Sequence, residues 1–176
     1  DLSRRPDALT WSVTPQYFFT DDVMGYFTAS RGFKSGGFKG DWGRVLPAPR
    51  EFDDEAVDHH ELGLKTRFAQ GRVQLNAAAF HSDFTDYQEA GFVALEFLVA
   101  NAAAVTSKGV EIDLTVRLAS TLVAEVNATF AQTRYEEFTE GLCYPGRTPT
   151  DAAAGTCDLS GTALANAPEL RVHAGL

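Results

Sequence analysis

The feature that most restricts this chain is a two-residue alternation of apolar and polar side chains, held over long segments. In "SKGVEIDLTVRL", residues 107–118, Val110, Ile112, Leu114, Val116 and Leu118 alternate with Glu111, Asp113, Thr115 and Arg117. "TLVAEVNATF", 121–130, sets Leu122, Ala124, Val126, Ala128 and Phe130 against Glu125, Asn127 and Thr129. In "HELGLKTRF", 60–68, Leu62, Leu64, Thr66 and Phe68 oppose Glu61, Gly63, Lys65 and Arg67. Successive side chains of a strand point to opposite faces, so a period of two means strands with one apolar and one polar face. Extended along the chain, this reading predicts strands at roughly 9–20, 24–35, 57–68, 72–88, 103–118, 122–135 and 168–176. The fourth is irregular: Val73, Leu75, Ala77 and Ala79 alternate, then Phe80 and Phe84 take the other parity. Either a bulge re-aims that strand or aromatic rings enter its polar side.

Only "DDV", "AQG" and "AST" separate the first strand from the second, the third from the fourth and the fifth from the sixth. The intervening connections, 36–56, about 89–102 and 136–167, read as long loops. In an up-and-down sheet alternate connections lie at opposite ends, so one end is tightly turned and the other carries the loops. Transmembrane β-barrels have this asymmetry. The same order explains "SRGFKSGGFKG", 30–40, which resembles a phosphate cradle at first sight. Gly32 is followed five residues later by Gly37, but Phe38 stands where a P-loop needs lysine. The stretch lies where a strand runs out into the first long loop, and Gly36 and Gly37 let the backbone turn there.

Alternation alone admits two solutions. A soluble sandwich turns its apolar face to a core and its polar face to water. A membrane barrel turns the apolar face to lipid and the polar face to its lumen. The predicted strands reach 12 residues or more, against a soluble mode of about 5–6. Their polar faces carry Glu61, Lys65, Arg67, Glu111, Asp113, Arg117 and Glu125 in mid-strand, which suits a wet lumen. Tyr17, Phe18, Phe19, Tyr26 and Phe27 flank the "DDV" turn like an interfacial girdle. No run of 18 apolar residues occurs, but a spanning strand needs only about 9–11. A formal net charge of -9 argues against a nucleic-acid partner. The expected fold is all-β: an antiparallel up-and-down transmembrane β-barrel segment. A single-chain bacterial barrel takes an even number of strands, and the last predicted strand is still running at Leu176. Residues 1–176 are therefore expected to form one partial barrel domain, internal to a larger barrel.

The motifs resemble those of the TonB-dependent outer-membrane receptors. In that family an aromatic strand runs into a "S-R-G-F-K-S-G-G-F" pattern, followed by "E-x-G-x-K", "L-N-A-A-x-F", a "D-Y-x-x-x-Q"-like end, "N-A", "K-G-x-E" and "N-A-P". This chain has "SRGFKSGGF" at 30–38, "ELGLK" at 61–65, "LNAAAF" at 75–80, "DYQ" at 86–88, "NAAAVTSKGVEIDL" at 101–114 and "NAP" at 166–168. They keep the family order from about residue 11 to 176. His59 and His60 depart from it, since the family more often places an aromatic or aliphatic residue there. The resemblance implies a barrel of roughly 22 strands around a plug, of which this chain supplies about seven. It also implies import of a scarce small ligand, often a ferric siderophore, sometimes cobalamin, haem or a saccharide. The implied partners are the outer-membrane bilayer, the protein's own plug and the TonB complex. No resident cofactor and no enzyme activity are implied.

Ligand contacts are expected on the loops: Trp42, Arg44 and Arg50 in the first, and Tyr144 and Arg147 in the stretch holding the cysteines, because aromatic and guanidinium groups suit aromatic, sugar or anionic ligands. Lys65 and Arg67 fall near the short-turn end, where a plug would lie, and are candidate plug contacts. Cys143 and Cys157 share one Gly/Pro/Thr-rich stretch and read as a loop disulfide. In "DDEAVDHHE", 53–61, acids and histidines suggest a metal site, but adjacent strand residues point to opposite faces, so His59 and His60 would not share an ion. Glu111 and Asp113 read as wall lining rather than a catalytic pair, and no nucleophile elbow of the G-x-S-x-G type is present. Rival readings are a soluble secreted β-sandwich binding carbohydrate or another ligand, a passive porin, and a barrel enzyme.

Overall fold

A computed structural model describes residues 3–5, 7–38, 51–93, 96–143, 146–152 and 156–176. Among them are β1 (Trp11–Val13), β2 (Gln16–Thr20), β3 (Val23–Lys34), β4 (Gly37–Phe38), β5 (Glu51–Phe52), β6 (Glu55–Phe68), β7 (Val73–Val93), β8 (Glu96–Ala119), β9 (Leu122–Glu137), β10 (Gly141–Leu142), β11 (Thr156–Cys157) and β12 (Leu170–Gly175). The main sheet is antiparallel in the order β1-β3-β6-β7-β8-β9-β12, with β2 also on β3; β4-β5 and β10-β11 are separate small hairpins. Among the described residues its edge strands do not pair with each other, so the sheet is open.

Each predicted strand is present. The first is split into β1 and β2 at Pro15, which has no N–H to give the ladder, although its carbonyl still accepts from Phe27 N at 3.1 Å. The short connections fall at one end. The β6–β7 turn places Ala69, Gln70 and Gly71 at positive φ (51°, 58° and 79°), the left-handed backbone a tight hairpin requires.

One expected loop is not a loop. Residues 89–102 continue β7 and β8 as paired strands out to Val93↔Glu96, in unbroken register with Gln88↔Asn101. The segment "EAGFVALEFLVAN" has no proline and is rich in strand-forming Phe, Val and Leu, so the ladder runs on. The irregularity in β7 is also resolved. Its pairing with β6 and β8 is continuous from Val73 to Thr85, which leaves Phe80 and Phe84 on the polar side. Re-aiming comes just beyond, at Asp86 (φ 53°), after which Tyr87 packs edge-on against Phe84 at 5.7 Å between centroids.

The registers stack the apolar residues of four strands into rows: Phe68, Val73, Val116 and Ala124; Thr66, Leu75, Leu114 and Val126; Leu64, Ala77, Ile112 and Ala128; Leu62, Ala79, Val110 and Phe130. Among the described residues no second layer packs on these rows, although Thr66 is itself buried. Leu62 is 64% exposed, Ile112 46%, Phe130 44% and Val172 63%. The packed cluster lies elsewhere: Ala102, Val105, Tyr135, Phe138, Cys157 and Leu159 are buried together, with Phe84 and Tyr87 against them. Val105 pairs with Phe84 and Tyr135 on the polar-face parity, at the long-loop end. A sandwich would have buried the opposite face.

Candidate functional site: the polar wall and the loop roots

On the polar face, aromatic rings sit in places left by glycine. Tyr26 faces Gly63 across the β3–β6 ladder, and its ring occupies the space a Cβ at Gly63 would need. The Tyr26 hydroxyl donates to Glu61 Oε1 at 2.7 Å. Phe80 also leans over Gly109, its ring tip 2.9 Å from where a Cβ would stand, although the Phe130 carbonyl comes nearer still to that position. His59 Nδ1 is 2.8 Å from Ser82 Oγ, and its Nε2 is 3.8 Å from Glu61 Oε2. His60 points the other way and stacks on Phe27, 6.1 Å between centroids, as strand alternation requires.

Two concavities open on this wall. One, about 220 Å³, is lined by Tyr26, Glu61, Lys65, Asn76, Glu111 and Asp113. Three carboxylates face one ammonium there, and Lys65 Nζ rests 5.4 Å from the centre of the Tyr26 ring. The other, about 320 Å³ and nearer the short turns, is lined by Asp21, Asp22, Lys65, Arg67 and Gln74 among others. The two basic residues singled out in the sequence therefore share a site, but they differ in availability. Arg67 is drawn to the β2–β3 turn, 3.4 Å from Asp22 Oδ1 and donating to Asp21 O at 3.0 Å.

At the other end, hydrogen bonds fasten the roots of the loops. Gln88 is buried; its N–H donates to Glu55 Oε2 (2.7 Å) and its Nε2 to the carbonyls of Ser35 and Asp53 (3.1 Å each). Its partner Asn101 donates to Asp53 O (3.0 Å) and Asp86 O (2.7 Å) and accepts from Asp53 N (2.8 Å). Gly36 N donates to Asp54 Oδ1 at 2.6 Å, and a Cβ at Gly36 would collide with the Phe52 carbonyl. Arg4 adds ion pairs to Glu51 (2.7 Å) and Asp54 (3.1 Å). The first loop is thereby tied to the β7–β8 hairpin.

Open sheet, bare apolar face, charged opposite wall and one-ended loops agree with the comparison to known families, in which residues 1–176 match the model described as "TonB dependent receptor-like, beta-barrel". The chain belongs to this family. Among solved structures it is similar to the ferric yersiniabactin uptake receptor FyuA from Yersinia pestis, at 22% identity and a TM-score of 0.67, covering 93% of this chain and 22% of that receptor. It is also similar to the siderophore receptor PirA from Pseudomonas aeruginosa, at 19% identity and a TM-score of 0.58, covering 69% of this chain and 24% of that one. At such identities the likeness concerns the fold. The chain spans less than a quarter of either receptor's length.

Within this receptor barrel segment the family-like motifs acquire physical roles. "ELGLK" and "SKGVE" supply the glycines under Tyr26 and Phe80, and "SGG", "DYQ" and "NA" supply the groups that root the loops. The Gln88–Asn101 fastening escaped the sequence reading, because only the register reveals that the two residues face each other. Of the loop candidates, Trp42, Arg44, Arg50 and Tyr144 lie outside the described residues. Arg147 donates to Asp158 O at 2.6 Å, bracing the loop that follows β9. Cys143 and Cys157 in that loop are bonded, with Cα atoms 5.2 Å apart. Hydrogen bonds from the Ser160 hydroxyl and backbone N–H, helped by Arg147, hold the Asp158 carboxyl below its ordinary range.

Proposed function

We propose that the intact protein is an outer-membrane, TonB-coupled receptor that binds and imports a scarce small ligand, with a ferric siderophore as the leading candidate. The observation that carries this reading is the exposed apolar face set against a charged one on the same strands. Hydrocarbon on one side and an aqueous interior on the other satisfy both faces. This chain supplies barrel wall and loops, residues 1–176 being part of one larger barrel domain, and the intact protein acts as transporter rather than enzyme. The names of FyuA and PirA support a siderophore over a saccharide or cobalamin. The wall concavity around Glu61, Lys65, Glu111 and Asp113 faces the plug, as does Arg67, and Trp42, Arg44, Arg50, Tyr144 and Arg147 are the loop groups offered to the ligand.

Deleting the intact gene should slow growth under iron limitation and abolish uptake of a labelled ferric siderophore. Normal growth and uptake in the deletion strain would remove the siderophore and leave the barrel reading to sugars or cobalamin. Lys65→Ala and Arg67→Ala in the full receptor should alter plug retention; unchanged uptake with unchanged plug release would argue against the plug-facing assignment.

A further inference from the structure

The apolar face ends abruptly. One step beyond the row Leu62, Ala79, Val110 and Phe130, the registers bring His60, His81, Lys108 and Gln132 side by side on four adjacent strands. Adjacent strands lie about 4.8 Å apart, so this polar row is about 14 Å wide. His60, His81 and Lys108 are exposed. The acids nearest the row are already engaged: Asp58 with Arg31 at 2.9 Å, Asp83 with His81 at 3.0 Å and with the Thr106 hydroxyl at 3.0 Å, and Glu169 with Arg134 at 3.6 Å. Among the described residues, Lys108 and His60 have no ion-pair partner.

We propose that this row is a contact site for the phosphate of a lipid headgroup in the leaflet nearest the long loops. The inference rests on the barrel reading, because it takes the uncovered apolar rows as the surface against hydrocarbon. Where those rows stop, the chains of the lipids stop, and the headgroups lie against the next row. That row presents one unspent ammonium, Lys108, beside the Gln132 amide and with the His60 ring two strands away, while the His81 Nε2 is held by Asp83. A phosphate matches both the charge and the donors, whereas an uncharged headgroup matches only the donors. The site is continuous with the apolar band, so the acyl chains hold the headgroup in register with Lys108.

The test uses the intact receptor, released from membranes into mild detergent, with native mass spectrometry counting retained lipid. Phosphatidic acid and diacylglycerol of the same chains are offered together. The wild-type receptor should retain phosphatidic acid preferentially. The double variant His60→Glu/Lys108→Glu should lose that preference by on the order of tenfold, with diacylglycerol unchanged. Lys108→Gln, a milder change, should lose part of it, which guards against misfolding of the double variant. Arg117→Glu, on the opposite face near the short turns, should leave it intact. Equal retention of the two lipids by the wild type, or an equal loss in Arg117→Glu, overturns the proposal. So does displacement by millimolar inorganic phosphate, which would mark a site for soluble anions. Failure of the wild-type receptor to regain its heat-modifiable folded form in vesicles would instead count against the barrel reading.

Discussion

A single arginine moved along β8 should report what lies against the apolar face. Ile112 is four residues from Lys108, where the polar row begins; at about 3.3 Å per residue and a tilt near 40°, that is about 10 Å below the headgroup level. Val110 is about 5 Å below it. The apolar run from Val110 to Leu118 covers about 20 Å of height by the same arithmetic, close to the apolar band of about 25 Å on known barrels. In lipid, Ile112→Arg should cost about 2–4 kcal/mol, or roughly 30- to 1000-fold in the folding equilibrium, and Val110→Arg only about 0–1 kcal/mol. Thr115→Arg, on the polar face between Gln74 and Glu125, should change stability by about 0.5 kcal/mol or less. The measurement is reversible denaturant unfolding of the intact receptor in phospholipid vesicles, followed by tryptophan fluorescence. Three environments give three patterns. A face in water makes all three substitutions nearly neutral, and a buried sandwich core penalises Val110→Arg as heavily as Ile112→Arg. Only a bilayer gives the depth gradient, so equal costs at 110 and 112, or a larger cost at 115, refute the reasoning.

Gly63→Ala should cost about 1–3 kcal/mol, because the Tyr26 ring must leave its seat and release Glu61; a double-mutant cycle with Tyr26→Ala should recover most of it, and additivity would contradict the account. Cys157→Ser opens a loop closed across 14 residues and should weaken that loop by about 3 kcal/mol, read as faster protease nicking between residues 136 and 167. Asp158 has its folded-state pKa lowered, so its stabilising contribution is full above the ordinary carboxylate pKa of about 4 and disappears as pH falls through the lowered value. Nicking of the same loop should rise on acidification below about pH 4, and Ser160→Ala should flatten that pH dependence; an unchanged profile in the variant would disprove the assignment.

How much of this was legible in the residues follows from what sets each feature. The strands were, because alternation on Leu62–Phe68 and Val110–Leu118 is a direct record of two different solvents on two faces. The short turns were, since only three residues separate the alternating runs at each. The continuation of β7 and β8 beyond Gln88 and Asn101 was not. Outside hydrocarbon a hairpin need not alternate, so "EAGFVALEFLVAN" carries no periodic signature and its length in residues resembled a loop. The cluster under the disulfide loop left a faint mark: Phe84 stood on the wrong parity, and the structure shows Val105 and Tyr135 beside it on that face. Tyr26 over Gly63 and Gln88 opposite Asn101 depend on register, which a sequence specifies only after the pairing is known.

The fastening at the loop roots bears on how such a wall serves different ligands. The side-chain amides of Gln88 and Asn101 bond backbone carbonyls at 35, 53 and 86, and those groups exist whatever side chains the loops carry, whereas Gly36 N and Gln88 N need the Asp54 and Glu55 carboxylates at the root itself. The loop sequence can then change freely without loosening the strands beneath it. The polar wall is constrained in the opposite sense, since each ring needs a glycine across the ladder and each charge must stay in water. The residues that set wall geometry are thus distinct from the loop residues proposed to meet the ligand. That separation accounts for a sheet which superimposes on FyuA with a TM-score of 0.67 while sharing only 22% of its residues.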